Sequence, residues 1–516
     1  MRELRLLHDS LLAATDDPAR LAKTAVIVEG RPYTYAELVD HALRLAAALR
    51  ARGLGRGDRV AIYMDNTWPC VVSLYATLAA GGVFLIVNPQ TKADKLAFIL
   101  DDSGAKFLLS DAHLAKEYGA ALAQAQQRPA TIVSGDAADG AESFDAVVAA
   151  AAPLAGRAAT IPLDLAALIY TSGSTGNPKG VMQTHQSMTF AAGSLVEYIR
   201  LGASDRILCA LPLAFDYGLY QLLMSVRLGA TLVLERSFTF PAQVFARMRE
   251  TRVTVFPGVP TVFAMLLAAH GREPLLFPDV TRVTNTAAAL PDDFAVRLRE
   301  VFPNALIYKM YGLTECKRVS YLEPELVDAK PGSVGKAIPG TEVYLLSAEG
   351  HDVPPGETGI LHVRGPHVML GYWNRPDLTA LMLKPGRLPG ERVLCTQDHF
   401  RMDAEGFLYF VGRTDDIIKT RGEKVSPVEV ENMLHAIDGV REAAVVGVPD
   451  ELLGQAIRAF VVLKPGATLT DRQIRAYCAS HLENFMVPRD IVLCADLPRT
   501  TTGKVSKKLL LEQPPA

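Results

Sequence analysis

Ala166-Ala167-Leu168-Ile169-Tyr170 runs directly into Thr171-Ser172-Gly173-Ser174-Thr175-Gly176-Asn177-Pro178-Lys179-Gly180. The first five residues read as a buried strand, since an apolar run without alternation suits a sheet covered on both faces. The loop that follows carries three glycines, four hydroxyls and one ammonium. Glycine frees the backbone to turn its amides toward a ligand, and the hydroxyls and Lys179 add donors, which together make a phosphate cradle. A Walker A loop is excluded, because Lys179 is followed by Gly180 and the glycine spacing is wrong. A flexible Ser/Gly linker is the alternative. It fits poorly with a position straight after a buried strand and with the closing Pro178-Lys179-Gly180.

Outward from that loop the chain alternates between helical and extended segments. Tyr33-Thr34-Tyr35 reads as extended, 36–52 as an amphipathic helix ending at Gly53, and 59–64 as a strand. No charge occurs between Asp65 and Lys92, a length that would permit a membrane crossing. Pro69 suits a helix start, Gly81-Gly82 breaks the run and Val83-Phe84-Leu85-Ile86-Val87 reads as a buried strand, so a soluble helix–turn–strand is expected instead. Another such unit is expected over 96–109. Residues 119–160, rich in Ala, Gln, Gly and Asp, read as surface helix and loop. Strands are expected again at 207–211, 231–234, 253–256, 283–284 and 305–308. After about residue 335, short strands and turns such as Pro354-Pro355-Gly356 and Gly365-Pro366 take over. Near Gly412 a further unit begins, with helices at 427–436 and 471–481 and strands at 443–448 and 459–463. This order predicts an α/β fold with parallel strands. Residues 1–411 should form a large N-terminal domain of layered α/β subdomains plus a small β-barrel-like subdomain. Residues 412–516 should form a small α+β C-terminal domain.

A chain of 516 residues is too long for one ordinary core. Its 49% apolar and 21% charged residues describe a globular protein. The 53 basic against 56 acidic residues leave a net charge of −3, which gives no general attraction to nucleic acid or to an acidic membrane face. The cysteines, Cys70, Cys209, Cys316, Cys395, Cys478 and Cys494, are scattered without a CxxC pair. That argues against a disulfide framework and a cysteine zinc site, and fits a reducing cytoplasm. Met1-Arg2-Glu3-Leu4-Arg5 leads into mixed sequence, so no secretory signal is expected.

The phosphate loop, followed in order by Tyr311-Gly312-Leu313-Thr314-Glu315, Thr396-Gln397-Asp398, Gly412-Arg413-Thr414-Asp415-Asp416 and Pro498-Arg499-Thr500-Thr501-Thr502-Gly503-Lys504, resembles the adenylate-forming (AMP-forming) superfamily of acyl-CoA synthetases, adenylation domains and luciferases. The resemblance implies two steps. A carboxylate attacks the α-phosphate of ATP, giving an acyl-adenylate and pyrophosphate. A thiol, coenzyme A or a phosphopantetheine on a separate acyl or peptidyl carrier protein, then displaces AMP. It further implies that Thr171, Ser172, Gly173, Ser174, Thr175, Gly176 and Lys179 hold phosphates and that Thr314 bonds a phosphate oxygen. Glu315 would hold Mg²⁺, Tyr311 would stack near adenine beside Ala288, and Asp398 with Arg413 would take the ribose. Lys504 would reach the carboxylate and α-phosphate during adenylation, a charge that builds transiently. Asp415 would be the hinge of a mobile C-terminal domain, and Gly422 would border the thiol channel. With the tail after Lys504 this short, any carrier is expected to be a separate protein.

By the same resemblance, Phe215, Asp216, Val259, Asn285 and Thr286 should line the acid pocket. Ala287-Ala288 stands where many members have paired glycines. Asp216 has two readings. A carboxylate in an apolar pocket is costly unless paired. The ammonium of an amino acid could pair it, or Asp216 could be structural in an acyl ligase. Lys317-Arg318 read first as a solvated face and second as a site for the phosphates of coenzyme A or an acidic carrier. A luciferase is disfavoured, since the chain ends Gln513-Pro514-Pro515-Ala516 without a peroxisomal Ser-Lys-Leu. A silent scaffold is disfavoured because Lys504, Glu315 and Asp398 are all kept.

Overall fold

A computed structural model describes residues 4–136, 140–156, 158–171, 178–286, 290, 292–413, 416, 418–420, 423–450, 454–482, 484–500 and 504–512. The chain divides into two units, Met1–Val343 with Val363–Cys395, and Tyr344–His362 with Thr396–Ala516.

The first unit holds two sheets. In one, the strand Arg59–Tyr63 lies parallel between Val83–Val87 and Ala105–Asp111. Leu165–Thr171 runs parallel to Val83–Val87, and Lys179–Thr184 returns antiparallel to it with Thr171 opposite Lys179. A two-residue strand, Gly371–Tyr372, closes that edge, with Tyr372 opposite Val181. The uncharged segment forms the helix Trp68–Ala80, ended by Gly81 at φ 88°, and the fully buried strand Val83–Val87. Nearly every side chain of that helix is buried, as expected for a core helix apolar on all sides. No helix among the described residues is long and apolar enough to cross a membrane. The amphipathic stretch forms the helix Tyr35–Ala51, whose Thr34 and Glu37 make a reciprocal capping box. One expectation is corrected. Residues 119–160 are not all surface helix and loop, because Ala130–Ser134 pairs parallel with Ala105–Asp111 and buries Ile132 and Val133 completely. A short apolar run inside an alanine- and glutamine-rich stretch gives too little periodicity to mark such a strand.

In the second sheet, Leu306–Tyr311, Arg282–Asn285, Val255–Gly258, Arg206–Cys209, Thr231–Leu234 and Thr24–Val28 lie side by side, all parallel. Their carboxyl ends therefore share one edge. Tyr311, Asn285 and Gly258 terminate adjacent strands, with Asn285 paired to both Gly258 and Lys309. Open α/β sheets bind ligands outside the carboxyl ends of their strands. Of the candidates, Tyr311, Asn285 and Val259 lie at that edge.

The second unit pairs Val440–Asp450 with Gly454–Leu463 along their whole length and adds Ile418–Thr420 and Asp490–Leu493 at the sides of the latter. Helices Pro427–His435 and Asp471–His481 pack on one face, around Val430, Leu434, Val445, Val461 and Ile474. The helix Lys507–Leu511 buries Leu510 among Val446, Phe460 and Leu497, in a separate apolar cluster.

Candidate active site

The two strands flanking the phosphate loop bring Thr171 and Lys179 together. Of the loop itself, Ser172, Gly173, Ser174, Thr175 and Gly176 lie outside the described residues. The Thr171 hydroxyl oxygen is buried and meets no hydrogen-bond partner among the described residues. Such a group is costly unless a ligand or water satisfies it. Lys179 Nζ donates to the Tyr372 hydroxyl at 2.7 Å, and that hydroxyl donates to Glu315 Oε1 at 2.5 Å. The ammonium itself stands 3.6 Å from Glu315 Oε1 and 4.1 Å from the Tyr372 ring centre. The Thr314-Glu315 segment is fastened to the same strand, because Gln183 Nε2 donates to Thr314 O at 3.0 Å while Ser187 Oγ holds Gln183 Oε1 at 2.8 Å. The backbone N–H of Met369 donates to Glu315 O at 2.8 Å. Glu315 Oε2 makes no hydrogen bond among the described residues. One oxygen is thus left for a hard cation, and one carboxylate with phosphates is the donor set Mg²⁺ commonly accepts.

Beyond Glu315 the chain doubles back. Val319 N–H donates to Tyr311 O at 3.0 Å, and a Cβ on Gly312 would lie 2.4 Å from Lys317 O. Lys317 adopts φ 63°, a left-handed conformation rare for a side-chain-bearing residue. This turn corrects the solvated-face reading of Lys317-Arg318, since both side chains are buried. Lys317 Nζ donates to Asp216 O at 2.9 Å and lies 3.7 Å from Asp216 Oδ2, with side-chain exposures of 4% and 11%. It sits 4.5 Å and 5.4 Å from the ring centres of Tyr220 and Tyr217. Burial pushes its pKa down to about 7 against the opposing pull of Asp216, and Arg318 adds to the fall. Arg318 Nη1 donates to Thr286 Oγ1, and its guanidinium carbon lies 5.6 Å from the Tyr217 ring centre. Adjacent charges read as a wet face only when their partners are unseen. Here the partners come from residues 216–220 and 286.

The expected acid-pocket residues fall at the strand ends of the second sheet and the helices that follow. Phe215 precedes the helix Asp216–Leu228, and Asp216 is its first residue. Val259 precedes the helix Pro260–His270. Asn285 and Thr286 are buried at the end of their strand. Tyr311 is half-buried at the end of Leu306–Tyr311. Ala288 lies outside the described residues, as do Asp415 and Gly422.

In the second unit, Asp398 and Arg413 face each other across a hairpin, with Arg413 Nε 3.2 Å from Asp398 Oδ1. Asp398 is buried, and its N–H donates to Thr396 Oγ1 at 3.1 Å. Gln397 between them takes φ 61°. Lys504 is exposed, Thr500 N–H donates to Lys504 O at 2.7 Å, and Arg499 bridges Val505.

Two contributors were not anticipated. Tyr372 lies far along the chain from Lys179 and Glu315, and Gln183 reads as an ordinary strand residue. The signal for Tyr372 was slight, a glycine directly before Tyr372-Trp373. That glycine is required, since Gly371 has φ 141° and a Cβ there would lie 2.6 Å from Thr379.

Two family models match the chain in order. One, AMP-binding enzyme, covers residues 16–373, and the other, AMP-binding enzyme C-terminal domain, covers residues 429–504. A long-chain-fatty-acid–CoA ligase of Bacillus subtilis (strain 168) is 32% identical over 534 residues, which cover 97% of this chain and 93% of that protein. A feruloyl-CoA synthase of Amycolatopsis sp is 34% identical over 489 residues, 94% of each. The crystal structure of a benzoate CoA ligase from Burkholderia xenovorans LB400 matches with a TM-score of 0.88 at 31% identity, over 98% of this chain and 99% of that one.

Proposed function

The chain belongs to the AMP-binding enzyme family, and from that premise we propose that it is an AMP-forming ligase joining a carboxylic acid to coenzyme A at the expense of ATP. The observation that carries the reading is the Lys179–Tyr372–Glu315 cluster with the buried hydroxyl of Thr171, which meets no hydrogen-bond partner among the described residues, at the base of the glycine-rich loop. Nucleotidyl transfer needs positioning and charge neutralisation more than covalent catalysis. Lys179 brings a cation to the phosphates, and Tyr372 holds it off Glu315. Glu315 would hold Mg²⁺, which when bound neutralises phosphate charge. Asp398, paired with Arg413, would take the ribose hydroxyls. Lys504 supplies the charge for adenylation, and Asp415 lets the domain that carries it turn before the thiol attacks.

Coenzyme A is favoured over a carrier protein as acceptor, because the fatty-acid and feruloyl relatives and the benzoate structural neighbour are named for coenzyme A. An amino-acid substrate is not favoured. The partner that Asp216 requires is already in the chain, as the ammonium of Lys317. The test is pyrophosphate release with ATP, Mg²⁺ and a panel of fatty, aryl, α-amino and β-amino acids, with coenzyme A added. Release with fatty or aryl acids and thioester formation supports the proposal. A wild type that releases pyrophosphate with none of them would sink it.

A further inference from the structure

The geometry points to Lys317 as the residue that decides which acids are admitted: its ammonium takes, from within the chain, the place beside Asp216 that an amine-bearing acid would otherwise fill, and so reserves the pocket for acids whose acyl part carries no positive charge. This inference deepens the proposed function and rests on it.

Three observations carry it. First, Asp216 and Lys317 are both nearly inaccessible, and the ammonium is bound twice to the same residue, at 2.9 Å to its carbonyl and 3.7 Å from its carboxylate. A buried carboxylate of this kind must be paired, and this one is. Second, the Lys317 ammonium lies 4.5 Å and 5.4 Å from the ring centres of Tyr220 and Tyr217, whose faces favour its charged form. Third, a second cation stands next to the pair. Arg318 is buried, reaches Thr286 and meets no carboxylate among the described residues. With Lys317 protonated, the cluster therefore holds two cations for one carboxylate. A substrate ammonium entering near Asp216 would find that carboxylate occupied and two like charges close by. Introduced repulsion of this kind rejects a wrong ligand more strongly than any loss of apolar contact.

The test compares acids in matched pairs that exchange a methyl for an ammonium: butanoate with β-alanine, heptanoate with 6-aminohexanoate, and 4-ethylbenzoate with 4-(aminomethyl)benzoate. The wild type should use each amine-bearing acid at least about 100-fold less well, by kcat/KM for pyrophosphate release, than its alkyl counterpart. Lys317→Met leaves Asp216 buried and unpaired, and should narrow that gap by about tenfold or more. Asp216→Asn combined with Lys317→Met removes the carboxylate as well and should reopen it. Lys317→Arg keeps the charge and should keep the gap. A purely structural Lys317 would lower both members of each pair together and leave their ratio fixed, and that result overturns the inference. So does a wild type that uses an amine-bearing acid within about threefold of its partner. If Lys317→Met does not fold, Lys317→Gln is measured with the same two outcomes. A wild type inactive with every acid would remove the ligase reading, and this inference with it. Activity with an unmoved ratio overturns the inference alone.

Discussion

Replacing Tyr372 with Phe removes one oxygen from the centre of the site, and the effect should exceed that of an ordinary buried hydroxyl. The oxygen accepts from Lys179 at 2.7 Å and donates to Glu315 at 2.5 Å, and the residue is 2% exposed. Hydrogen bonds to charged partners contribute about 1.5–3 kcal/mol each, so losing both costs about 3–6 kcal/mol. Part of this returns. Without the hydroxyl, Lys179 Nζ can close on Glu315 Oε1 from 3.6 Å. At an effective dielectric of about 20, closing to about 2.8 Å strengthens the attraction by about 1 kcal/mol. The net loss is about 2–5 kcal/mol, and the collapsed pair turns both charges away from the phosphates. Tyr372→Phe should therefore lower kcat/KM for ATP by about 30-fold or more, since 2 kcal/mol is a factor of that size. Pyrophosphate release measures this, with urea unfolding in parallel to show that the fold survives. A double-mutant cycle with Glu315→Gln should give a coupling of about 1 kcal/mol or more. The reasoning is refuted if Tyr372→Phe stays within about threefold of the wild type. It is also refuted if the cycle is additive within about 0.5 kcal/mol, because hydroxyl and carboxylate would then not act as a unit.

Lys504→Ala should reduce acyl-adenylate formation by about 10²-fold or more while leaving thioester formation from preformed acyl-adenylate intact, and equal loss in both half-reactions would remove its assigned role. Gly312→Ala places a Cβ 2.4 Å from the backbone of Lys317. It should lower unfolding stability by about 1–3 kcal/mol and depress activity, and a neutral result in urea titration would mean the turn can relax. Lys317 predicts a pH dependence of known sign. Its folded pKa of about 7 lies below the unfolded 10.5, so in that window the unfolded chain binds the extra proton, and stability from this group rises with pH. Relative to the Asp216→Asn/Lys317→Met double variant, the wild type should gain up to about 1.4 kcal/mol per pH unit above neutrality, and a flat difference would contradict the burial penalty.

The strand pair that brings Thr171 to Lys179 and the layered α/β fold were legible because their signals are local. An apolar run, glycines in a row and a proline before Lys179 lie within one short window. The strand Ala130–Ser134 was not legible, because what makes it a strand is the neighbour Ala105–Asp111 rather than its own pattern. Tyr372 was hidden for the same reason. Its backbone pairs with Val181, a partner nearly two hundred positions earlier, and that pairing delivers its hydroxyl to Lys179.

Lys317 and Arg318 show where reading charge from sequence goes wrong. Two adjacent cations are assigned to solvent because burying them alone is prohibitive. The assignment fails only if each finds partners in another segment, and adjacency gives no hint of that. Asp216 posed the mirror problem, a lone carboxylate in an apolar stretch that seemed to need a cation from outside. Each half looked anomalous alone, and together they cancel. The hydroxyl of Thr286 and the ring of Tyr217 meet the Arg318 guanidinium, whose buried Nε finds no hydrogen-bond partner among the described residues. Once the ion pair is internal, an ammonium on the acid has no partner left to claim. The choice between an amino acid and an uncharged acyl chain then turns on Lys317, a residue that neither motif flanking it would have singled out.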